Sequence, residues 1–61
     1  MNYAIIGCGL IGKKRVTGMP AGSQLVVACD TNLPRAEELV KFARGGRACA
    51  DFKDAVADPK V

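Results

Sequence analysis

Gly7-Cys8-Gly9-Leu10-Ile11-Gly12 is the stretch whose residue types and spacing read most directly as chemistry. A G-x-G-x-x-G run between a strand and a helix can hold a pyrophosphate. Its first glycine turns the chain tightly, its second lets the backbone approach the phosphates with no Cβ in the way, and its third lets the helix pack closely on the strand. Unpaired amides and the positive end of the helix dipole then face the anion. On this reading Gly7, Cys8, Gly9, Leu10, Ile11 and Gly12 lie against the ligand, which is held mostly by backbone. The same glycines could serve only to build a tight strand-to-helix corner.

Asp30 favours the ligand. It closes the next apolar run, near the roughly twenty-residue offset at which an acidic side chain accepts from the ribose hydroxyls of a bound dinucleotide. A carboxylate there repels a 2′-phosphate, which predicts NAD in preference to NADP. Thr31 is grouped with the site at the ribose edge, although Thr31 and Asn32 also suit the start of the next helix, the reading we favour. Lys13, Lys14 and Arg15 invite a phosphate clamp, but consecutive helical residues point in different directions and a solvated basic face is the simpler reading. Cys8 reads as a small loop residue near the phosphates, with a redox-sensitive thiol as the alternative. Asp51 and Asp54 read as helix-start and surface acids.

The elements needed to position this loop follow from the pattern around it. Asn2 to Ile6 is a short apolar run that enters the glycines as a strand buried on both faces would. Helical spacing begins at Leu10, runs through Ile11 and Val16, and ends near Gly18. Gln24 to Cys29 is a second continuous apolar strand. From Leu33 the period becomes helical, with Leu33, Ala36, Leu39, Val40 and Ala43 on one face and Glu37 paired with Lys41 on the other. Asn32 suits the cap, Pro34 the first turn, Arg44 the C-terminal dipole, and Gly45-Gly46 the left-handed stop. Arg47 to Ala50 reads as a weak third strand. Asp51 caps a brief helix through Ala57 that Asp58-Pro59 ends, and Val61 would open a fourth strand. The predicted fold is α/β: a Rossmann-type parallel sheet with helices on both faces, of which only the first βαβαβ half is present.

Composition bounds the alternatives. The chain has 61 residues, 49% hydrophobic, with a net charge of +3, so it is globular in character but short, with a thin core. The positive charge is too weak and scattered to argue for nucleic acid or an anionic membrane. No leader or membrane span is visible, and the three cysteines, Cys8, Cys29 and Cys49, match neither a disulfide framework nor a metal knuckle. A reduced, cytoplasmic protein is expected. With no histidine, these residues cannot assemble a Ser-His-Asp triad, a Cys-His pair or a His-ligated metal site. Residues 1–61 are thus expected to be the N-terminal part of an NAD(P)-binding Rossmann domain, cut from a larger protein. The missing strands would leave an open sheet edge that encourages association, such as a homo-oligomer, or misfolding, and a further reading is that the fragment serves no function alone.

Taken together, Gly-Cys-Gly-Leu-Ile-Gly-Lys-Lys-Arg, the Leu-Val-Val-Ala-Cys-Asp strand, Pro-Arg-Ala-Glu-Glu-Leu and Asp-Phe-Lys-Asp-Ala-Val-Ala-Asp-Pro-Lys-Val resemble the N-terminal domain of the Gfo/Idh/MocA oxidoreductases. The last stretch is the most particular to that family, and the likeness spans the whole chain. The resemblance implies an NAD(P)-dependent dehydrogenase acting on a sugar or polyol, whose second domain would hold the substrate. It carries Gly7, Gly9, Gly12 and Asp30 onto the cofactor pattern. The family's catalytic lysine, in a Glu-Lys-Pro motif, and its later histidine have no counterpart in these residues. A competing reading from another class is a regulatory module with the same βαβ fingerprint, which binds NAD without moving hydride.

Overall fold

The computed structural model describes residues 1–61. Strand β1 (Asn2–Ile6) leads into helix α1 (Leu10–Gly18), strand β2 (Gln24–Cys29), helix α2 (Leu33–Ala43), strand β3 (Arg47–Cys49) and the short helix α3 (Phe52–Val56). The three strands are parallel in the order β1-β2-β3. That is the βαβαβ half expected from the alternation of strand-like and helix-like runs. The central strand β2 is the most deeply buried, since Val27 and Ala28 are fully covered and Leu25 and Cys29 nearly so.

Helices lie on both faces of the sheet, forming two small cores. Ile5, Cys8, Leu25 and Ala28 meet Ala36 and Leu39 of α2, with Val16 of α1 packed at the side. On the opposite face Val27, Cys29 and Cys49 meet Ala55 of α3, with Ala4 alongside. One face thus carries two helices and the other a single short one. This explains why β1 is not buried on both faces: Ile5 is covered, but Ile6 points to the thinly covered side and is 54% exposed.

An irregularity in β2 was not apparent from its apolar run. Tyr3 pairs with Leu25 and Ala4 with Val27, so Val26 is an extra residue that bulges the strand. The bulge is why Leu25 and Ala28, three apart, lie in the same core. Gly46, at φ 95°, passes directly against it; a Cβ there would sit 2.7 Å from the Leu25 carbonyl oxygen and 3.1 Å from that of Val26.

Helix ends are fixed by contacts that local pattern did not fully reveal. The Asn32 side chain makes no capping bond; instead the Asn32 amide donates to Asp30 Oδ1 at 2.8 Å, so Asp30 organises the entry to α2. The left-handed residue closing α2 is Arg44 at φ 61°, ahead of the glycine pair. No ion pair joins Glu37 and Lys41. Glu38 bonds Lys13 of α1 at 2.8 Å, and Lys13 also lies 5.8 Å from the Phe42 ring centre. Lys13 therefore ties α1 to α2, while Lys14 and Arg15 are exposed, as a solvated basic face requires. Asp51 does cap α3, accepting from the Lys53 amide at 2.9 Å. Val61 forms no strand; its amide closes a turn onto the Asp58 carbonyl. This turn is held beneath the sheet by Arg47 with Asp58 and by Asn2 with the Lys60 carbonyl.

Gly12 is buried where α1 crosses the sheet, and a Cβ there would lie 3.3 Å from Leu39 Cδ2 and 3.8 Å from Ile5 Cγ2. A methyl group asks Leu39 to yield by a few tenths of an ångström, while replacing this first-turn helical glycine with alanine gains at most about 1 kcal/mol. Gly12→Ala should therefore be close to neutral in a urea melt. The two further methyls of Gly12→Val overpack the site and should cost about 1–3 kcal/mol.

Candidate functional site

The carboxyl ends of β1 and β2 bring the glycine loop and Asp30 together. Gly7 turns out of β1 at φ 91°, and its amide donates to the Cys29 carbonyl at 2.8 Å, holding the start of the loop against the end of β2. The next amide, that of Cys8, donates to Asp30 Oδ2 at 2.9 Å. One carboxylate oxygen thus grips the glycine loop while the other receives the Asn32 amide. The Asx turn from Asp30 to Asn32 was the local signal for the second bond; only the fold supplies the first.

These two amides, Asn32's first and Cys8's second, hold Asp30 below its ordinary pKa, with the positive charge of Arg35 adding a smaller effect. A group depressed in this way contributes stability above its unfolded pKa of about 3.9, and the contribution is lost as pH falls below that value. The carboxylate is accordingly charged across the neutral range and down through pH 5.

Along the loop, the amides of Gly9, Leu10 and Ile11 have no acceptor within the protein. They are the free donors of a nine-residue helix, at the positive end of its dipole. A Cβ on Gly9 would meet nothing within 4 Å, so the space beside Gly9 is open. Donors without partners, open space and an ionised acceptor beside them suit a ligand combining phosphate with ribose-like hydroxyls.

Two hollows adjoin the glycine loop, and Asp30 lines the first of them. One, of about 280 Å³, lies at the carboxyl edge of the sheet between Ile6, Gly7, Cys29, Asp30, Thr31 and Phe52. Its volume lies just below the usual range for small-molecule sites, which starts at about 300 Å³, and Ile6 and Phe52 give it exposed apolar walls. The other, of about 350 Å³, runs between α1 and α2, where Gly9 and Leu10 face Lys13, Arg35 and Glu38. Thr31 is thus beside the first hollow and Leu10 beside the second, whereas Ile11 lines neither and is 64% exposed. Ile6, Phe52 and Arg35 were not singled out from the sequence as site residues, because nothing in their local spacing says that three elements converge there.

The side chain of Cys8 is buried away from this surface, its thiol donating to the Cys29 carbonyl at 3.3 Å. Burial, then the charge of Asp30, raises its pKa above the ordinary thiol value. With no second thiol on its face of the sheet to pair with, Cys8 serves as a loop filler and not as a reactive thiol. Cys29 is pushed up to about 11 by burial and then by the neighbouring Cys49 thiol. A raised thiol pKa leaves stability intact below the unfolded value of about 8.5 and erodes it as pH climbs toward the folded value. Urea midpoints should therefore hold level from pH 7 to pH 8 and fall between pH 9 and pH 11, with a smaller fall in Cys29→Ala.

The whole chain aligns with two dehydrogenases. It is 33% identical over 64 aligned positions to Inositol 2-dehydrogenase 2 of Mycolicibacterium vanbaalenii, and 33% identical over 64 positions to Inositol 2-dehydrogenase of Rhodococcus erythropolis. The chain thus shows distant similarity, over its full length, to inositol 2-dehydrogenases of the Gfo/Idh/MocA family. It spans about a fifth of the length of these relatives, 19% and 18% respectively. The Gfo/Idh/MocA resemblance read from the glycine loop, the Asp30 strand and the α3 stretch thus extends over all 61 residues. No family model matches the sequence, and no solved structure matches it. No helix is long and apolar enough to cross a membrane, and no group of three or more metal-ligating side chains occurs.

Proposed function

We propose that this chain forms the dinucleotide-binding part of an oxidoreductase that uses NAD, in preference to NADP, to act on a sugar or cyclitol alcohol. The observation that carries the reading is the 2.9 Å bond between the Cys8 amide and Asp30 Oδ2, which joins the glycine loop to the ionised acid at the end of β2. The amides of Gly9, Leu10 and Ile11 would take the pyrophosphate, with Gly7 and Gly12 shaping the turn and the helix contact. Asp30 would accept from the adenosine ribose hydroxyls with Thr31 at the edge, and its charge would disfavour a 2′-phosphate. The bound nicotinamide would supply hydride chemistry to a carbinol carbon; the residues described bind and orient the cofactor and contribute no acid or base to that step. The substrate class rests on the relatives, whose names say that they are inositol 2-dehydrogenases. A module that binds NAD without moving hydride would share the site, but those relatives favour the enzyme.

Titrating NADH and NADPH separately and following nicotinamide fluorescence tests the cofactor reading. The expected result is saturable binding of NADH with at least tenfold weaker NADPH. Equal affinity for the two would rule out the role given to Asp30, and no binding by a chain with a folded circular dichroism spectrum would rule out the site.

A further inference from the structure

The strand register sets two cysteines side by side. Cys29, the last residue of β2, pairs directly with Cys49, the last residue of β3. Both belong to the core beneath α3, and their side chains share one face of the sheet. Cys8, the remaining cysteine, belongs to the core on the opposite face. Neighbouring parallel strands lie about 4.8 Å apart, within the Cα separation of about 4.4–6.8 Å that a disulfide spans. Its Cβ atoms must close to about 3.8 Å, so some movement is required. The three-residue strand β3 is the element free to make it, being bonded to the sheet only through β2.

We propose that Cys29 and Cys49 form a thiol–disulfide modification site, converted by a low-molecular-weight disulfide into a reversible cross-strand bond between β2 and β3. Cys49 is the more accessible of the two, 7% exposed against 2% for Cys29, and it reacts first. Its thiolate attacks one sulfur of the small disulfide, giving a mixed disulfide and releasing one small thiol. The Cys29 sulfur then attacks the Cys49 sulfur, breaking the mixed disulfide, and its proton passes to the departing small thiolate, which leaves as the second small thiol. Two protein thiols are oxidised by two electrons and one small disulfide is reduced to two thiols. Because β3 must be drawn toward β2, the bond is strained, and strained disulfides are the readily reduced ones. The site stands on register and burial alone, independently of the nucleotide reading.

The three cysteines fall on three different tryptic peptides, residues 1–13, 16–35 and 48–53, so the product can be read by mass spectrometry. The reduced, folded chain is incubated at low concentration with oxidised glutathione. The expected result is a monomer lighter by two hydrogens, with residues 16–35 linked to 48–53 and Cys8 free, and full reversal by reduced glutathione. Cys8→Ala should give the same product and Cys29→Ala should stop at the glutathione adduct. A link through Cys8, a stable adduct without ring closure, an intermolecular dimer, or no oxidation where the urea-unfolded chain does oxidise would each overturn the proposal.

Discussion

Asp30→Ala is expected to weaken NADH binding by roughly ten- to a hundredfold while leaving NADPH affinity within a few fold, so that the preference between the two collapses. Three roles meet in this side chain. Its carboxylate would accept from the ribose, repel a 2′-phosphate and hold the Cys8 amide at 2.9 Å. Losing hydrogen bonds to a charged acceptor costs about 1.5–3 kcal/mol, which is the expected fold-change in affinity. Asp30→Asn removes the charge yet keeps one acceptor, so it should restore much of the loop geometry and part of the NADH affinity without restoring discrimination. Since two backbone amides hold Asp30 ionised, NADH affinity of the parent chain should stay level from pH 8 to pH 5. A parallel loss of both cofactors in Asp30→Ala would mean that Asp30 only supports the loop.

The second large effect lies far from the site. Gly46→Ala should destabilise the fold by about 2–4 kcal/mol, combining a strained backbone conformation with overpacking. Gly46 has φ 95°, and its added Cβ would fall 2.7 Å from the Leu25 carbonyl oxygen, a backbone atom that cannot swing aside. Only eleven of the 61 residues are buried, so the margin is narrow and the cooperative urea transition should move sharply to lower concentration or vanish. Gly45→Ala is the matched control. Its Cβ would meet only Gln24 Nε2 at 3.7 Å and its φ is not positive, so its midpoint should change little. Equal effects at the two positions would show that the bulge does not constrain the approach of β3.

The contrast between these glycines shows where sequence reading succeeds and where it stops. The runs Asn2–Ile6, Leu10–Gly18, Gln24–Cys29 and Leu33–Ala43 were legible because strand and helix periods, glycine breaks and Pro34 are local signals. The meeting of the glycine loop with Asp30 was legible in outline for the same reason: G-x-G-x-x-G and an acid at a set distance describe one turn and one strand end. Contacts made across the fold were not. The Val26 bulge depends on how β1 registers with β2, and Glu38 leaves its own helix to pair with Lys13 because α1 lies beside it. Arg44 takes the left-handed position ahead of two glycines, leaving Gly46 for the close passage over the bulge. Likewise Ile6 and Phe52 line the hollow beside Asp30 because β1 and α3 converge there, a meeting that no spacing within either segment reveals.

The most direct test of the central claim is to follow the backbone amide resonances of the isotope-labelled chain by NMR as NAD is added. The account predicts saturable shifts concentrated at Gly9, Leu10, Ile11, Asp30 and Thr31, with little change around Arg47 and Asp58 at the opposite end of the sheet. A well-dispersed, folded spectrum that does not respond to NAD, or responds mainly at that opposite end, would contradict it.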